Sequence, residues 1–299
     1  MKLVYKVTKS TTYTNIYQVL RNHFNISTRL LQRLKRSQKI YCNDQIANVN
    51  SLVYPDDVIL VNLSFEEECN NIVPTKMDLD ILYEDDAFII INKPPNTPIH
   101  PSINHFEDSL SNGVKYYFDS IGLKRKIRPI NRLDKDTSGI VLFAKNEYIQ
   151  ECLIKQMKEN IFEKEYLAIV EGVPYPTIQT VIAPIARKDT SIIERCVSDN
   201  GDYAETIIEL IESYDNYSLV KCVLKTGRTH QIRVHTKHIG HHIIGDTLYA
   251  CSSSLINRQA LHAYKVKFIH PITHQEIVIT SVPPKDMSDL INLKYENLF

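Results

Sequence analysis

From Leu79 onward the chain is written in short β-rich runs with few helices between them, and that grammar limits the folds open to it. Residues 87–92 (AFIIIN) form an apolar, largely β-branched run stopped by Lys93-Pro94-Pro95, since proline lacks the N–H that a sheet ladder needs. Further runs follow at 139–144, 166–170, 206–211, 218–224, 266–269 and Glu276–Thr280. One amphipathic helix intervenes over 147–159, with Ile149, Cys152, Leu153 and Met157 on one side. Many strands, few helices and no alternating βαβ rhythm predict an α+β domain with a mixed, largely antiparallel central sheet. No internal repeat, phosphate-binding Walker loop or G-x-G-x-x-G interrupts it.

The first sixty-odd residues obey different rules. A length of 299 residues is about two domains' worth, and the charge divides accordingly. Residues 1–64 hold nine Lys and Arg against three Asp, a net +6 that the rest of a formally neutral chain balances with −6. Such asymmetry suits a nucleic-acid-docking appendage. Within it, residues 26–36 (ISTRLLQRLKR) predict a helix capped by Ser27 or Thr28, with Leu30, Leu31 and Leu34 as its apolar stripe. Arg29, Arg33 and Arg36 fall at i, i+4 and i+7, on one face that reaches successive phosphates. Short alternating runs at 39–43 and 58–63 flank the turn Tyr54-Pro-Asp-Asp. This pattern resembles the S4 RNA-binding domain, although Asn43-Asp44 stands where that family often has Asn-Gly. The resemblance implies that Arg29, Arg33, Lys35 and Arg36 face structured RNA. Residues 65–77 (FEEECNNIVPTKM) lack an apolar period and read as a linker kept solvated by Glu66-Glu67-Glu68. The expected organisation is a 1–64 RNA-binding module, a 65–77 linker and a 78–299 catalytic domain.

Composition excludes other classes. The longest apolar run, 87–91, is far short of the ~20 residues that span a bilayer, and the N-terminus shows no secretory pattern. Six scattered cysteines without a C-x-x-C pair point to reduced thiols and a cytoplasmic protein.

The chemistry concentrates in residues 128–144 (RPINRLDKDTSGIVLFA), where acids and bases crowd a loop that leads into an apolar strand. Asp134, flanked by Leu133 and Lys135 and two residues from Arg132, is a carboxylate held among cations, suited to act as nucleophile or base. Gly139 ends the polar stretch and allows a close approach or a positive φ.

Arg132-Leu-Asp-x-x-Thr-Ser-Gly resembles the catalytic motif of the RluA-type pseudouridine synthases. The likeness continues in that family's order. Tyr83-Glu-Asp-Asp-Ala-Phe-Ile-Ile-Ile-Asn-Lys-Pro comes first, then Lys164-Glu-Tyr-Leu-Ala-Ile-Val-Glu-Gly. Thr226-Gly-Arg-Thr-His-Gln-Ile-Arg-Val-His follows with Gly245-Asp246, and Arg258-Gln-Ala-Leu-His-Ala-Tyr with His270-Pro271 closes the series. The resemblance implies an isomerase that converts uridine to pseudouridine in RNA, a reaction that needs no cofactor. It implies Asp134 as the catalytic aspartate, Arg233 as its ion-pair partner and Tyr166 as the aromatic that stacks on uracil. Arg132 would help fill the space left by the flipped nucleotide, and Leu261 would line the uracil pocket. Asp136 is read as structural, capping the turn, with catalysis as the alternative. The chain has Asn131 where the family commonly has His, an exchange expected to affect loop hydrogen bonds, and Pro95-Asn96 in place of a small-residue-Gly turn.

The partner expected is structured RNA, first the ribosomal RNA of the large subunit and then tRNA, bound by a monomer. The rivals are a non-catalytic RNA-binding or ribosome-assembly factor and a glycosidase-like hydrolase, which would need a second carboxylate opposite the first. His230, His235, His238, His241 and His242 crowd thirteen residues, but no usual ligand set completes them and no metal site is expected.

Overall fold

A computed structural model of the chain describes residues 1–291; the remainder of the expected catalytic span, 292–299, lies outside the described residues. The N-terminal module is a four-stranded antiparallel sheet ordered Lys2–Lys6, Val58–Asn62, Ile40–Cys42, Gln45–Ile46. The turn at Asn43-Asp44 puts both residues at positive φ, 51° and 63°, so Asp44 takes the conformation for which glycine is the usual choice. The helix Thr28–Arg36 is capped by Ser27, whose Oγ accepts from Leu30 N at 3.2 Å. Leu30, Leu31 and Leu34 are buried as the apolar period requires.

The second part is built on a nine-stranded sheet. Its order runs Ile81–Glu84, Phe88–Lys93, Ser138–Ala144, Leu261–Ile269, Glu163–Glu171, Tyr217–Leu224, Glu205–Ser213, Ile178–Ile182, with Glu276–Thr280 paired to Leu261–Ile269. Every expected strand is present. Among the described residues one pairing is parallel, Ser138–Ala144 with Leu261–Ile269, and it extends over just two positions, His262 opposite Ser138 and Ala263 opposite Gly139. Gly139 explains how the backbones come so close: its φ is 111°, and a Cβ there would stand 2.2 Å from Ala263 O. His262 pins the seam, its Nδ1 3.0 Å from Ser138 Oγ and its Nε2 3.0 Å from Ser281 O. Burial holds the ring neutral by pushing its pKa down to about 4.

The two parts share one core. Leu30, Ile59, Phe65, Phe88, Leu142, Ile149 and Phe268 belong to a single buried cluster. The helices Thr28–Arg36 and Glu147–Lys158 meet directly, since Ser27 Oγ donates to Glu151 Oε1 at 2.6 Å. Here two expectations are corrected. Residues 65–77 form no regular element, yet they are not a solvated tether, because Phe65, Cys69 and Ile72 are buried. Glu67 is a buried hub that accepts two hydrogen bonds from Arg128, at 2.7 and 2.8 Å, and one from Arg33 at 2.7 Å. Arg33 also pairs with Glu147 at 3.0 Å and lies over the Phe65 ring at 4.0 Å. It is therefore spent on joining the two parts, while Arg29, Lys35 and Arg36 remain exposed. The expected arginine face is interrupted because a buried acid attracts a guanidinium more strongly than water does.

Burial alone would raise the Glu67 carboxyl above its ordinary 4.5, but the hydrogen bonds and charges of Arg128 and Arg33 bring it down to about 2. A folded value below the unfolded one means that the ionised carboxylate contributes fully above pH 4.5 and loses its contribution as pH falls toward 2. Glu67→Gln should thus cost about 3 kcal/mol at neutral pH, as expected when one side of a buried pair is removed. It should also flatten acid destabilisation in that window. Thermal melts across the acid range check this; parallel pH curves for the two proteins would contradict it.

Candidate active site

The loop carrying Asp134 is held from beneath by two buried cations. Lys93, fully buried at the end of its strand, donates from Nζ to Lys135 O at 2.9 Å, and to Pro94 O and Thr97 O at 2.8 and 2.9 Å. Burial lowers its pKa to about 7, against the pull of Asp136 and Asp134. Arg258 Nη1 donates to Asp136 O at 3.0 Å, while its other nitrogens grip Asp286 at 2.7 and 2.8 Å. Asp136 thus joins this lattice through its carbonyl. Asn131 secures the near side, donating to Ile140 O at 2.8 Å and accepting from Leu142 N at 3.0 Å. Asn131 therefore serves the loop through its hydrogen bonds to the strand Ser138–Ala144. Asn96 absorbs the other departure by adopting a φ of 59°, a conformation that asparagine tolerates.

With its backbone fixed, Asp134 presents its carboxylate to Arg233, whose Nη1 donates to Oδ2 at 2.9 Å. Arg233 lies 99 residues away, on the helix Gln231–His238. It is buried, and Asp246 holds it from behind: Nε donates to Oδ2 and Nη2 to Oδ1, both at 2.7 Å. Asp246, only 1% exposed, also accepts from Leu248 N at 3.1 Å. The guanidinium is therefore oriented by one carboxylate and offered to another. Burial opposes its charge, but the Asp246 hydrogen bonds and the two anions hold it more firmly protonated than usual.

His230 completes the ring of contacts. It stands at the head of the Arg233 helix in a left-handed conformation, φ 58°, with Nε2 3.7 Å from Asp134 Oδ2. Its Nδ1 lies 2.7 Å from the Tyr249 hydroxyl, which itself accepts from Arg195 N at 2.8 Å. A hydroxyl that accepts there can donate its own proton to Nδ1, and the tautomer that matches this carries its ring proton on Nε2, toward Asp134. Burial and the charge of Arg233 lower the His230 pKa, with Asp134 working the other way. Tyr249 also spreads its ring beside Arg233, 5.0 Å from centroid to Cζ.

These groups open on a cavity of about 620 Å³. Asp134, Arg132, Tyr166, Arg233 and Leu261 all line it, so the structure brings together the five residues singled out from sequence. Tyr166 is buried, and burial and the nearby Asp134 charge push its hydroxyl pKa up; it stays protonated. Arg132 is exposed at the rim. Lys164 lines the cavity too, its ammonium pKa lowered by burial. Sequence reasoning did not assign Asp246, Tyr249, His230 or Lys93 to this site. Asp246, His230 and Lys93 lay in the same motifs, in Gly245-Asp246, in Thr-His-Gln and in Asn-Lys-Pro, whereas Tyr249 had no such signal. His235, by contrast, is buried structure, with its nitrogens 2.8 Å from Thr206 Oγ1 and 3.0 Å from Ala183 O.

Comparison with known proteins agrees with the geometry. The family model described as RNA pseudouridylate synthase matches residues 87–238. The chain is 37% identical over 277 residues to an uncharacterized RNA pseudouridine synthase of Bacillus subtilis, YhcT, covering 92% of this chain and 91% of that one. The chain belongs to the RNA pseudouridine synthase family, RluA type. It is thus an isomerase that converts uridine to pseudouridine in RNA. The synthase is also 32% identical over 295 residues to the ribosomal large subunit pseudouridine synthase D of Blochmanniella floridana, covering 89% of this chain and 92% of that one. Among solved structures it resembles human RNA pseudouridylate synthase domain containing 1, with a TM-score of 0.57 and 25% identity, over 69% of this chain and 84% of that one.

Asp246→Asn is expected to leave Arg233 without its bidentate anchor. Single-turnover isomerisation at saturating RNA should fall at least about ten-fold, equivalent to about 1.4 kcal/mol of lost positioning, while RNA affinity changes little. A variant with a normal rate and weakened binding would contradict the positioning role.

Proposed function

We propose that this synthase modifies uridine in large-subunit ribosomal RNA and that Asp134 is the carboxylate on which its chemistry turns. The observation that carries the reading is the Arg233–Asp134 contact at 2.9 Å inside the cavity that Tyr166 also lines. The target identity is supported by relatives named as ribosomal large subunit pseudouridine synthases.

The chemistry follows from what the cavity holds. In pseudouridylation the N1–C1′ bond breaks with its electron pair going to the base. The base then turns, C5 bonds to C1′, and the C5 proton is lost while N1 gains one. Atoms and electrons balance within the nucleoside, so no donor or redox partner enters. Positive charge that develops at C1′ is stabilised by an ionised carboxylate, which Arg233 keeps in place. The Tyr166 ring offers a π-face against which a planar base is held yet free to turn. Leu261 supplies an apolar wall. A uridine in a folded stem cannot meet Asp134 without leaving its stack, and Arg132, exposed and lining the cavity, would occupy the space it vacates. Arg29, Lys35 and Arg36, exposed on the N-terminal helix, would contact RNA backbone at a distance from the cavity.

The test is pseudouridine mapping of cellular RNA with and without this gene, joined to assays of Asp134→Asn on the transcript so identified. We expect one or more large-subunit sites to disappear from the deletion strain. The Asn variant should bind the transcript near wild-type affinity and form no pseudouridine above background. Normal turnover by the variant would remove Asp134 from its role, and losses confined to tRNA would move the substrate.

A further inference from the structure

The hairpin formed by Ile185–Arg187 and Arg195–Val197 pairs Arg187 with Arg195, residue opposite residue. Like charges in that cross-strand relation destabilise a sheet. Both arginines nevertheless line a second cavity, of about 400 Å³, together with Arg228. Asp202 lines it too, 3.6 Å from Arg228 Nη1, but its side chain is 75% exposed. Three guanidinium groups therefore face one largely hydrated carboxylate. Arg228 Nε donates to Tyr203 O at 2.9 Å, and among the described residues Arg195 Nη1 has only long contacts, 3.3 and 3.4 Å, to Glu194 O and Ile193 O. Gly227 and Arg228 border this cavity and that of Asp134 alike, so the two are neighbours along one surface.

We propose that the second cavity is a phosphodiester subsite, which takes a backbone phosphate of the RNA strand flanking the target uridine. The inference rests on the RNA-modifying reading above. An anion between Arg187 and Arg195 turns an opposed pair of cations into two charge-assisted contacts, and planar guanidinium groups suit phosphate oxygens. The subsite is also wired to the reacting carboxylate. The backbone N–H of Arg195 holds the Tyr249 hydroxyl, which holds His230 beside Asp134. Phosphate seated on the hairpin and order around Asp134 are two ends of one chain of contacts.

The experiment uses the full chain and a fluorescein-labelled hexauridylate, with affinity measured by anisotropy over a range of KCl. Arg187→Gln and Arg228→Gln should each weaken binding and each reduce the log–log salt slope by about 0.7, the value for one phosphate contact on a single strand. Lys188→Gln, at a residue already paired with Glu194, should leave the slope unchanged. One methylphosphonate linkage should reproduce the loss in the wild type and add nothing in the Arg187→Gln/Arg228→Gln protein. Unchanged slopes in the arginine variants, additive effects of the neutral linkage, or no hexauridylate binding at low salt would each overturn the subsite. Isomerisation assayed on the same proteins separates the two readings. A wild type that isomerises uridine while the arginine variants keep its slope loses only the subsite. Arginine-dependent binding without any pseudouridine keeps the subsite and removes the function.

Discussion

Arg233 is a buried cation with an acid on either side, and the orientation of the Asp134 carboxylate depends on that arrangement. A guanidinium has five N–H donors in a rigid plane. Asp246 takes two of them from behind, which leaves a third aimed at Asp134. Were Asp134 the sole partner, a flexible arginine would follow the carboxylate instead of fixing it. The Asp246 carboxylate is in turn fixed by backbone N–H groups of the turn it begins. Orientation thus passes from backbone to acid to base to acid, and each step exchanges a hydration shell for directed hydrogen bonds.

Other cations serve the same end by different means. Lys93 and Arg258 do not approach the Asp134 carboxylate but hold the carbonyls of the two residues that follow it. Buried charge of this kind is tolerable when every donor is used, and Lys93 uses three. The loop carrying Asp134 leads into the short parallel seam that Gly139 permits by bringing its backbone against Ala263. Leu261, at the start of one of the two strands, lines the Asp134 cavity.

The longer strands of the sheet were legible because β-branched runs bounded by Pro, Gly and polar clusters carry their own signal, and the helix Glu147–Lys158 because its apolar residues recur at helical spacing; Lys2–Lys6, Ile81–Glu84, Ile178–Ile182 and the hairpin of Ile185–Arg187 with Arg195–Val197 were not. The helix Leu110–Ser120 escaped notice. Gly113 sits in its middle, where a Cβ would stand 3.0 Å from Met77, so its propensity was given up to close packing. The five site residues were found through motifs, but their convergence was not deducible from order along the chain. Asp246 was missed as the anchor of Arg233 because a lone acid after glycine has no pattern of its own. Arg33 and the segment after residue 64 misled for a shared reason: charge suggested solvent exposure, and only tertiary contact shows Glu67 buried between two arginines.

The common core of the two halves has a geometric corollary. Phe65 and Leu30 pack in the same cluster as Phe88 and Leu142, with Arg33 bolted across the joint. The basic helix and the Asp134 cavity are thereby set a fixed distance apart, like the jaws of a caliper. A ligand that touched both at once would have to span this gap, because neither half can swing to meet it.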